Sequence, residues 1–322
     1  MDTTDEIIPV FLASDENYAP CCGTTIFSII KNTNSFVNFY ILDGGISKES
    51  KKKLNLMMRK FNNFSIEFID MSNFYLNRFP NIKHYSVNAF SRYFIPEIKP
   101  NLDKVLYLDV DIIVKGDISE LYNENLDNYP LGTILEDFCD ANSAYLKKIA
   151  PSFASGKRYF NSGVLLIDCK KFRASNYTQI LVDKTIELFD VLSCPDQDVF
   201  NIVFENNYRE LPYKYNFMPG YADNLLKLNK KTGNDAIKNH LIIHYTYGKP
   251  WIDPECISAA EFWEVAVKTP FFEQLKKGLR KSVFRFYLFG FIPILKIARE
   301  HLFNEVKYYL FGFLPILQTK KR

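Results

Sequence analysis

Two aspartates separated by one valine, Asp109 and Asp111, are the residues of this chain best suited to chemistry. They directly follow Val105–Leu108, an apolar run typical of a central strand. If the strand continues, side chains two residues apart point to the same face. Paired carboxylates at the end of such a strand suit Mn²⁺ or Mg²⁺, which can stabilise a departing diphosphate. The alternative is a pair of solvated aspartates in a turn.

A second cluster follows the apolar run Leu241–Ile243. His244 could add a nitrogen ligand, which would favour Mn²⁺ over Mg²⁺. Gly248 permits a close backbone approach, and Lys249 could pair with a phosphate. The alternative is a structural histidine that ends a strand.

A third cluster, Asp196–Asp198, precedes another apolar stretch. Polar side chains at the start of a helix can bind sugar hydroxyls. The same residues can instead cap the helix and interact with its dipole, which is the simpler interpretation when the cluster is considered alone.

The elements that must position these residues alternate along the chain. The apolar patterns predict strands at Ile7–Leu12, Val37–Leu42, Ser65–Ile69, Val105–Leu108, Val164–Ile167 and His240–Tyr245, and helices at Cys21–Lys31 and Ser47–Phe61. Ser47 is a candidate N-cap. This alternation predicts an α/β fold, with a mostly parallel sheet covered by helices on both faces.

Composition changes near residue 268, where we place a domain boundary between 1–267 and 268–322. Between Lys268 and Arg322 there are 12 Lys or Arg against three Asp or Glu, although the whole chain carries only +3. This basic segment repeats one motif, since Tyr287–Leu295 and Tyr309–Leu317 differ only at Ile292 and Leu314. We expect an amphipathic helical tail that binds an anionic membrane rather than nucleic acid. Helical hairpins packed on the catalytic domain are the alternative.

The location expected from the sequence is the cytoplasm, with peripheral attachment to the inner face of the membrane. The acidic start of the chain lacks the features of a signal peptide. Its six cysteines are scattered without metal-like spacing, as in a reducing compartment. Apolar runs also fall short of the ~20 residues that span a bilayer.

Six motifs in order resemble those of glycosyltransferase family 8, the retaining UDP-hexose transferases, which include bacterial lipopolysaccharide and lipooligosaccharide galactosyl- and glucosyltransferases. The motifs are Ala13–Tyr18, Ser91–Tyr93, Lys104–Asp111, Tyr159–Val164, Asp196–Asp198 and His244–Trp251. Together they run through most of the chain.

The resemblance implies a GT-A fold, which is a Rossmann-like α/β sheet, and a role for each matching residue. The nucleotide would lie against Ala13, Ser14, Asp15, Asn17 and Val110; the metal on Asp109, Asp111 and His244; the diphosphate against Gly248 and Lys249; and the donor sugar among Arg92, Glu136, Asn161, Asp196 and Gln197. Asp196, Gln197 and Lys249 would serve catalysis. Glu136 replaces an aspartate of close relatives, and the loop from His244 to Lys249 is one residue shorter. Both differences leave UDP-galactose and UDP-glucose open as donors.

The expected reaction is transfer of a hexose from a UDP-sugar to a glycan or lipid-linked saccharide, with retention of configuration. A double displacement needs a carboxylate beneath the anomeric carbon. Gln197 is a poor nucleophile, which favours substitution on one face. A sugar nucleotidyltransferase would instead need a basic, glycine-rich loop where Asp15 and Glu16 stand. A non-catalytic UDP-sugar or glycan-binding relative is disfavoured by the presence of all three metal-ligand candidates.

Overall fold

A seven-stranded sheet lies at the centre of the computed structural model, which describes residues 6–57, 60–71, 79, 87–136, 158–279, 282–288, 292–300, 305–310 and 314–320. Its strands are β1 (Ile7–Ser14), β2 (Phe36–Asp43), β3 (Phe64–Asp70), β4 (Lys104–Leu108), β6 (Leu131–Leu135), β7 (Phe160–Asp168) and β8 (Arg209–Glu210). The strand order is β3-β2-β1-β4-β7-β6-β8. Strand β7 is antiparallel to both neighbours, and the other pairs are parallel. Strands β5 (Ile112–Val114) and β9 (Ile242–His244) form a separate antiparallel pair.

Helices cover both faces of the central sheet, as the alternating pattern predicts. They are α1 (Ala19–Asn32), α2 (Lys48–Leu56), α3 (Ile95–Ile98), α4 (Ser119–Tyr122), α5 (Cys169–Ala174), α6 (Tyr177–Leu188), α7 (Pro195–Val203), α8 (Ala222–Leu228), α9 (Lys230–Asn239), α10 (Ala259–Ala266) and α11 (Phe272–Gly278), with 3₁₀ turns at Val87–Phe94, Phe189–Val191, Tyr213–Tyr215 and Pro219–Tyr221. Along β4, Leu106 and Leu108 join one buried cluster, while Val105 and Tyr107 join another. The apolar β4 run is therefore buried on both sides.

The elements predicted between Ile7 and Tyr245 agree with the structure in type, and their ends differ. Helix α2 ends at Leu56 rather than near Phe61, and Ser47 is its N-cap, accepting the N–H of Ser50 at 3.1 Å. The change of composition near residue 268 precedes the end of the packed body. Phe271 and Leu275 belong to the core beside α1, so the body continues through α11.

The described part of the tail is a four-stranded antiparallel sheet, so the predicted helical tail is wrong. Its strands are β10 (Ser282–Leu288), β11 (Ile292–Glu300), β12 (Glu305–Leu310) and β13 (Leu314–Lys320), in that order across the sheet. Aromatic and branched residues favour strands, and a proline inside each repeat disfavours a helix. Each proline follows the start of its strand, beside an irregularity in the pairing.

The two copies of the repeat form the same hairpin. Tyr287 pairs with Pro293 in the first copy, and Tyr309 pairs with Pro315 in the second. The register places eight apolar residues on one face of this sheet, which we call the apolar face: Phe284, Phe286, Leu295, Ile297, Tyr308, Leu310, Leu314 and Leu317. Arg285, Lys296 and Lys307 share the opposite face. No helix in the described part of the chain is long and apolar enough to cross a membrane.

Candidate active site

The two aspartates of the Asp-Val-Asp motif lie in the connection between β4 and β5. Strand β4 ends at Leu108, so it does not continue through them, and the condition behind the expected shared face is not met. The connection is nevertheless held firmly. Asp109 donates its N–H to the carbonyl of Gly163 at 2.8 Å, and the Thr25 hydroxyl lies 2.9 Å from the carbonyl oxygens of Val110 and Ile112. Loop backbone, rather than strand alternation, brings the carboxylates together.

His244 joins the aspartates because β5 and β9 pair. Ile112, directly after Asp111, is opposite His244 in this pair. One ligand atom from each of Asp109, Asp111 and His244 can be chosen so that all three lie within 4.8 Å of one another. The Nε2 atom of His244 is 3.1 Å from Asp111 Oδ1 and 3.8 Å from Asp109 Oδ2. The His244 side chain is 2% exposed, against 27% for Asp109 and 14% for Asp111, so the opening is on the aspartate side.

The donor set and the space beside it fit a divalent cation. Two carboxylates and one imidazole nitrogen suit Mn²⁺ better than Mg²⁺, which prefers oxygen alone. Gly163 forms the wall of this cradle. A Cβ atom there would lie 2.4 Å from His244 Cε1 and 2.5 Å from Asp109 Oδ2. Only glycine leaves room for the imidazole and the carboxylate as they stand.

A positively charged side chain lies beside each aspartate. The Arg92 guanidinium lies over the Tyr107 ring and is 3.1 Å from Asp109 Oδ1, which also accepts the Tyr107 hydroxyl at 2.8 Å. Burial opposes ionisation of Arg92, but Asp109 more than compensates, so its pKa is raised. Lys249 pairs with Asp111. Burial opposes ionisation of Asp111, yet His244 and Lys249 hold its pKa well below the usual range.

A chain of amides leads from His244 toward α7. Asn216 contacts His244 Nδ1 and donates to Asn161, which donates in turn to Glu136 Oε2 at 2.8 Å and to Gln197 Oε1 at 3.1 Å. Burial raises the pKa of Glu136, while the bonds from Asn161 and Gln197 oppose that rise. Gln197 also accepts the N–H of Ser162 and donates to Glu136 and to the Tyr159 hydroxyl.

The Asp196–Asp198 cluster divides between the two interpretations. Asp198 accepts the N–H groups of Ser193 and Cys194, so it supports the start of α7. Asp196 instead faces the cradle, 3.3 Å from Arg92 and within a hydrogen bond of Ser162. Burial raises the pKa of Asp196, and Arg92 opposes this rise.

Each of two open cavities is lined by part of the cradle. We call the first the aspartate cleft; its volume is about 370 Å³ and it is lined by Ala13, Ser14, Asp15, Tyr18, Ala89, Arg92, Tyr107, Asp109, Val110 and Asp111. We call the second the histidine cleft; its volume is about 450 Å³ and it is lined by Pro219, Gly220, His244 to Lys249, Ile252, Asp253, Cys256 and Ile257. Tyr247, 79% exposed, stands at its edge.

Two residues expected at the nucleotide or the diphosphate, Asn17 and Gly248, do not line the aspartate cleft. Asn17 is exposed and does not belong to the described lining of the aspartate cleft. Gly248 lies in the histidine cleft, where a Cβ would come 2.8 Å from Cys256 Cβ. Its lack of a side chain therefore permits contact with Cys256. Lys249, also expected at the diphosphate, lines the histidine cleft and pairs with Asp111. The remaining residues expected near the donor line the aspartate cleft or contact the cradle or the amide chain.

Sequence reasoning missed three residues of the site. Tyr107 and Gly163 stood inside recognised motifs without a role, although each touches a ligand candidate. Asn216 follows an aromatic turn far from every motif, so neither spacing nor periodicity pointed to it. Each of the five cysteines in the described residues is free.

Comparison with known proteins decides the family. The family model described as Glycosyl transferase family 8 matches residues 9–254, which is most of the chain. The chain belongs to glycosyltransferase family 8. The match includes the whole cradle and both clefts up to residue 254.

Individual relatives agree with this assignment. A putative glycosyltransferase of Haemophilus influenzae is 32% identical over 222 residues, which are 68% of this chain and 66% of the relative. The lipopolysaccharide 1,2-glucosyltransferase of Escherichia coli is 26% identical over 88% of this chain and 84% of its own. The chain spans only 34% of the glycosyltransferase GlyA of Streptococcus pneumoniae, to which it is 31% identical.

Solved structures confirm the predicted GT-A fold. The galactosyltransferase LgtC, in complex with donor and acceptor sugar analogues, matches with a TM-score of 0.69 and 28% identity over 82% of this chain and 96% of LgtC. The bifunctional glycosyltransferase WbbM matches with a TM-score of 0.74 but 24% identity, over 87% of this chain and 53% of WbbM. The WbbM likeness concerns the fold alone.

Proposed function

We propose that this glycosyltransferase uses Mn²⁺ to move a hexose from UDP-galactose or UDP-glucose to a glycan or lipid-linked saccharide, with retention of configuration. The observation that supports the proposal best is the cradle of Asp109, Asp111 and His244, whose aspartates line one cleft and whose histidine lines another. A cation held there would neutralise the charge of the departing diphosphate.

The aspartate cleft is the proposed donor site. Its wall from Ala13 to Asp15 is the C-terminal end of β1 and the residue after it, and open α/β sheets bind nucleotides at this edge. The donor sugar would lie toward Arg92, Asp196 and the amide chain. LgtC was solved with both donor and acceptor sugar analogues, which supports two substrate subsites in a protein of this fold.

The histidine cleft is the proposed acceptor site. Its exposed ring, Tyr247, packs edge-on to Tyr221, with 6.2 Å between the ring centroids. Aromatic faces bind the apolar faces of sugar rings, and the nearby Ile252 and Ile257 are also exposed. Such a surface suits a saccharide attached to an apolar carrier.

The proposed chemistry forms one bond and breaks one bond on the same face of the donor sugar. The acceptor oxygen bonds to the anomeric carbon as the bond from that carbon to the diphosphate oxygen breaks. The acceptor proton passes to the departing diphosphate. Lys249 would move from Asp111 toward the diphosphate, and Gln197, held by Asn161, would orient the sugar.

The tail is proposed to attach the enzyme to an anionic membrane. The apolar face of its sheet ends in a row of four residues, Ser282, Arg299, Val306 and Thr319. This row is more polar than the next row on the same face, which is Phe284, Ile297, Tyr308 and Leu317. An apolar patch with a polar rim suits the boundary between headgroups and acyl chains. Similarity to the lipopolysaccharide 1,2-glucosyltransferase of Escherichia coli supports an acceptor of the cell surface.

The test is a panel of UDP-sugars incubated with the enzyme and Mn²⁺. We expect UDP release from UDP-galactose or UDP-glucose and from no other UDP-sugar of the panel. Release should be faster when a saccharide acceptor is added. NMR of an early product should show an α linkage, because the donors are α-linked. A β linkage would overturn retention, and no UDP release from any donor would favour a binding protein.

A further inference from the structure

Asn216 is buried behind His244, on the side of the imidazole that faces away from the aspartates. It is 1% exposed. Its Oδ1 atom is 2.8 Å from His244 Nδ1, and its Nδ2 atom donates to Asn161 Oδ1 at 2.9 Å. These two contacts place it between the metal cradle and the amide chain.

One backbone group fixes the direction of the hydrogen bonds that link His244, Asn216 and Asn161. The N–H of Gly163 donates to Asn161 at 2.9 Å, and a backbone N–H can only donate, so the accepting atom is the Asn161 oxygen. Asn216 must therefore offer its NH₂ group to that same oxygen. Its own oxygen is left for His244, whose Nδ1 must carry the hydrogen.

We infer that Asn216 is a positioning residue for the metal site. It holds a hydrogen on Nδ1 of His244, so that Nε2, the nitrogen facing Asp109 and Asp111, is the one that can bind a cation. The hydrogen bond made by one ring nitrogen sets which nitrogen is free to bind a metal. With the other tautomer, Nε2 would present a hydrogen to the cation. The inference rests on the proposed function only in taking the cradle as a metal site.

Two substitutions of matched size separate this role from a merely structural one. Asn216→Asp keeps an acceptor for His244 Nδ1 and removes only the donor to Asn161. Asn216→Leu removes both. Asn63→Leu is the control, because Asn63 is a half-buried amide that bonds the carbonyls of Ile30 and Thr33 far from the cradle along the chain.

The first measurement is Mn²⁺ affinity without donor, by electron paramagnetic resonance titration. We expect Asn216→Leu to weaken binding about tenfold to a hundredfold, the usual effect of losing a partner of a metal-bound histidine. Asn216→Asp and Asn63→Leu should stay within about threefold of the unaltered protein. Equal losses in Asn216→Asp and Asn216→Leu would show that the contact with Asn161 matters instead, and would overturn the inference.

The second measurement needs neither metal nor activity. The protein has four histidines, so ¹⁵N-histidine labelling can resolve the His244 ring, with His244→Gln to assign it. In the metal-free unaltered protein, Nδ1 should be protonated, and this signature should be lost in Asn216→Leu. An unprotonated Nδ1 would overturn the inference even if Mn²⁺-dependent transfer is confirmed. Absence of Mn²⁺ binding in the unaltered protein would overturn the proposed metal role but leave this tautomer test intact.

Discussion

The central sheet and the tail sheet divide their side chains between two faces in different ways. In β4, alternate residues join two separate buried clusters, so both faces are covered by the body itself. In β11, Leu295 and Ile297 share the apolar face, while Lys296 belongs to the opposite face. A sheet of the second kind covers one apolar surface only. We therefore expect transfer to depend on the body and the proposed membrane attachment to depend on the tail.

The largest effect on turnover is expected for Asp111→Asn. Loss of a charged ligand should remove several kcal/mol of leaving-group stabilisation, which is about a thousandfold in rate. UDP release from the UDP-sugar measures it, and EDTA should reproduce the loss. Liposome binding through the tail should not change. Asp103→Asn is the control, because Asp103 forms an exposed pair with Lys170 at the other end of β4. Undiminished activity in EDTA would contradict the metal assignment.

The sequence predicted the parts of the site that follow from strand ends, and missed those that depend on loop packing. Asp109 and His244 each come at the end of an apolar run, so both could be named as ligand candidates, although β9 pairs with β5 outside the central sheet. Asn216 reaches His244 from a separate 3₁₀ turn, which no local pattern connects to β9. Such contacts are decided by tertiary packing rather than by periodicity.

In the tail, the sequence did not predict the local secondary structure. The repeat and its charge were read correctly, but the secondary structure was not. Apolar and polar residues alternate only briefly, in Leu295–Ile297 and in Val306–Tyr308, a period of two that favours a strand. Short apolar runs around a proline and a glycine fit helix and strand patterns almost equally, and the pairing partners decide between them.

The second largest effect is expected for Gly163→Ala. A Cβ at this position would overlap both the His244 ring and the Asp109 carboxylate, and displacement of about 1 Å costs about a hundredfold in rate. Mn²⁺ affinity should fall together with UDP release. Gly116→Ala is the control, since its new Cβ would lie 3.5 Å from Leu241, an ordinary contact. Full activity of Gly163→Ala would mean that the cradle has a different shape when it works.

A smaller loss is expected for Lys249→Ala. Lys249 is one of several groups that can neutralise the diphosphate, so we expect turnover to fall about tenfold to a hundredfold. Its pKa is raised, because the pairing with Asp111 outweighs the opposing effect of burial, and it therefore stays charged at neutral pH. Lys268→Ala, which removes an exposed lysine paired with Glu264, is the control. Equal turnover in the two variants would remove Lys249 from the reaction.

The smallest effect on turnover, less than about twofold, is expected for changes confined to the tail. Ile297→Glu with Leu317→Glu places two charges on the apolar face. Ala298→Glu with Gln318→Glu places the same two charges on the opposite face, one residue further along each strand.

The matched pairs separate apolar burial from charge, because both change the net charge equally. Burying one large aliphatic side chain contributes about 1.5–3 kcal/mol, so the apolar-face pair should reduce co-sedimentation with anionic liposomes at least tenfold. The opposite-face pair should lose only the attraction of two charges, about 1 kcal/mol each near the surface, which is about thirtyfold, whereas the apolar-face pair should lose this and about a further hundredfold from the lost burial. Equal losses would mean that charge alone holds the tail, and that the sheet face is irrelevant. If the apolar-face pair binds liposomes normally but loses UDP release, while the opposite-face pair keeps it, the apolar face packs against the catalytic body, and the separation of chemistry from location fails.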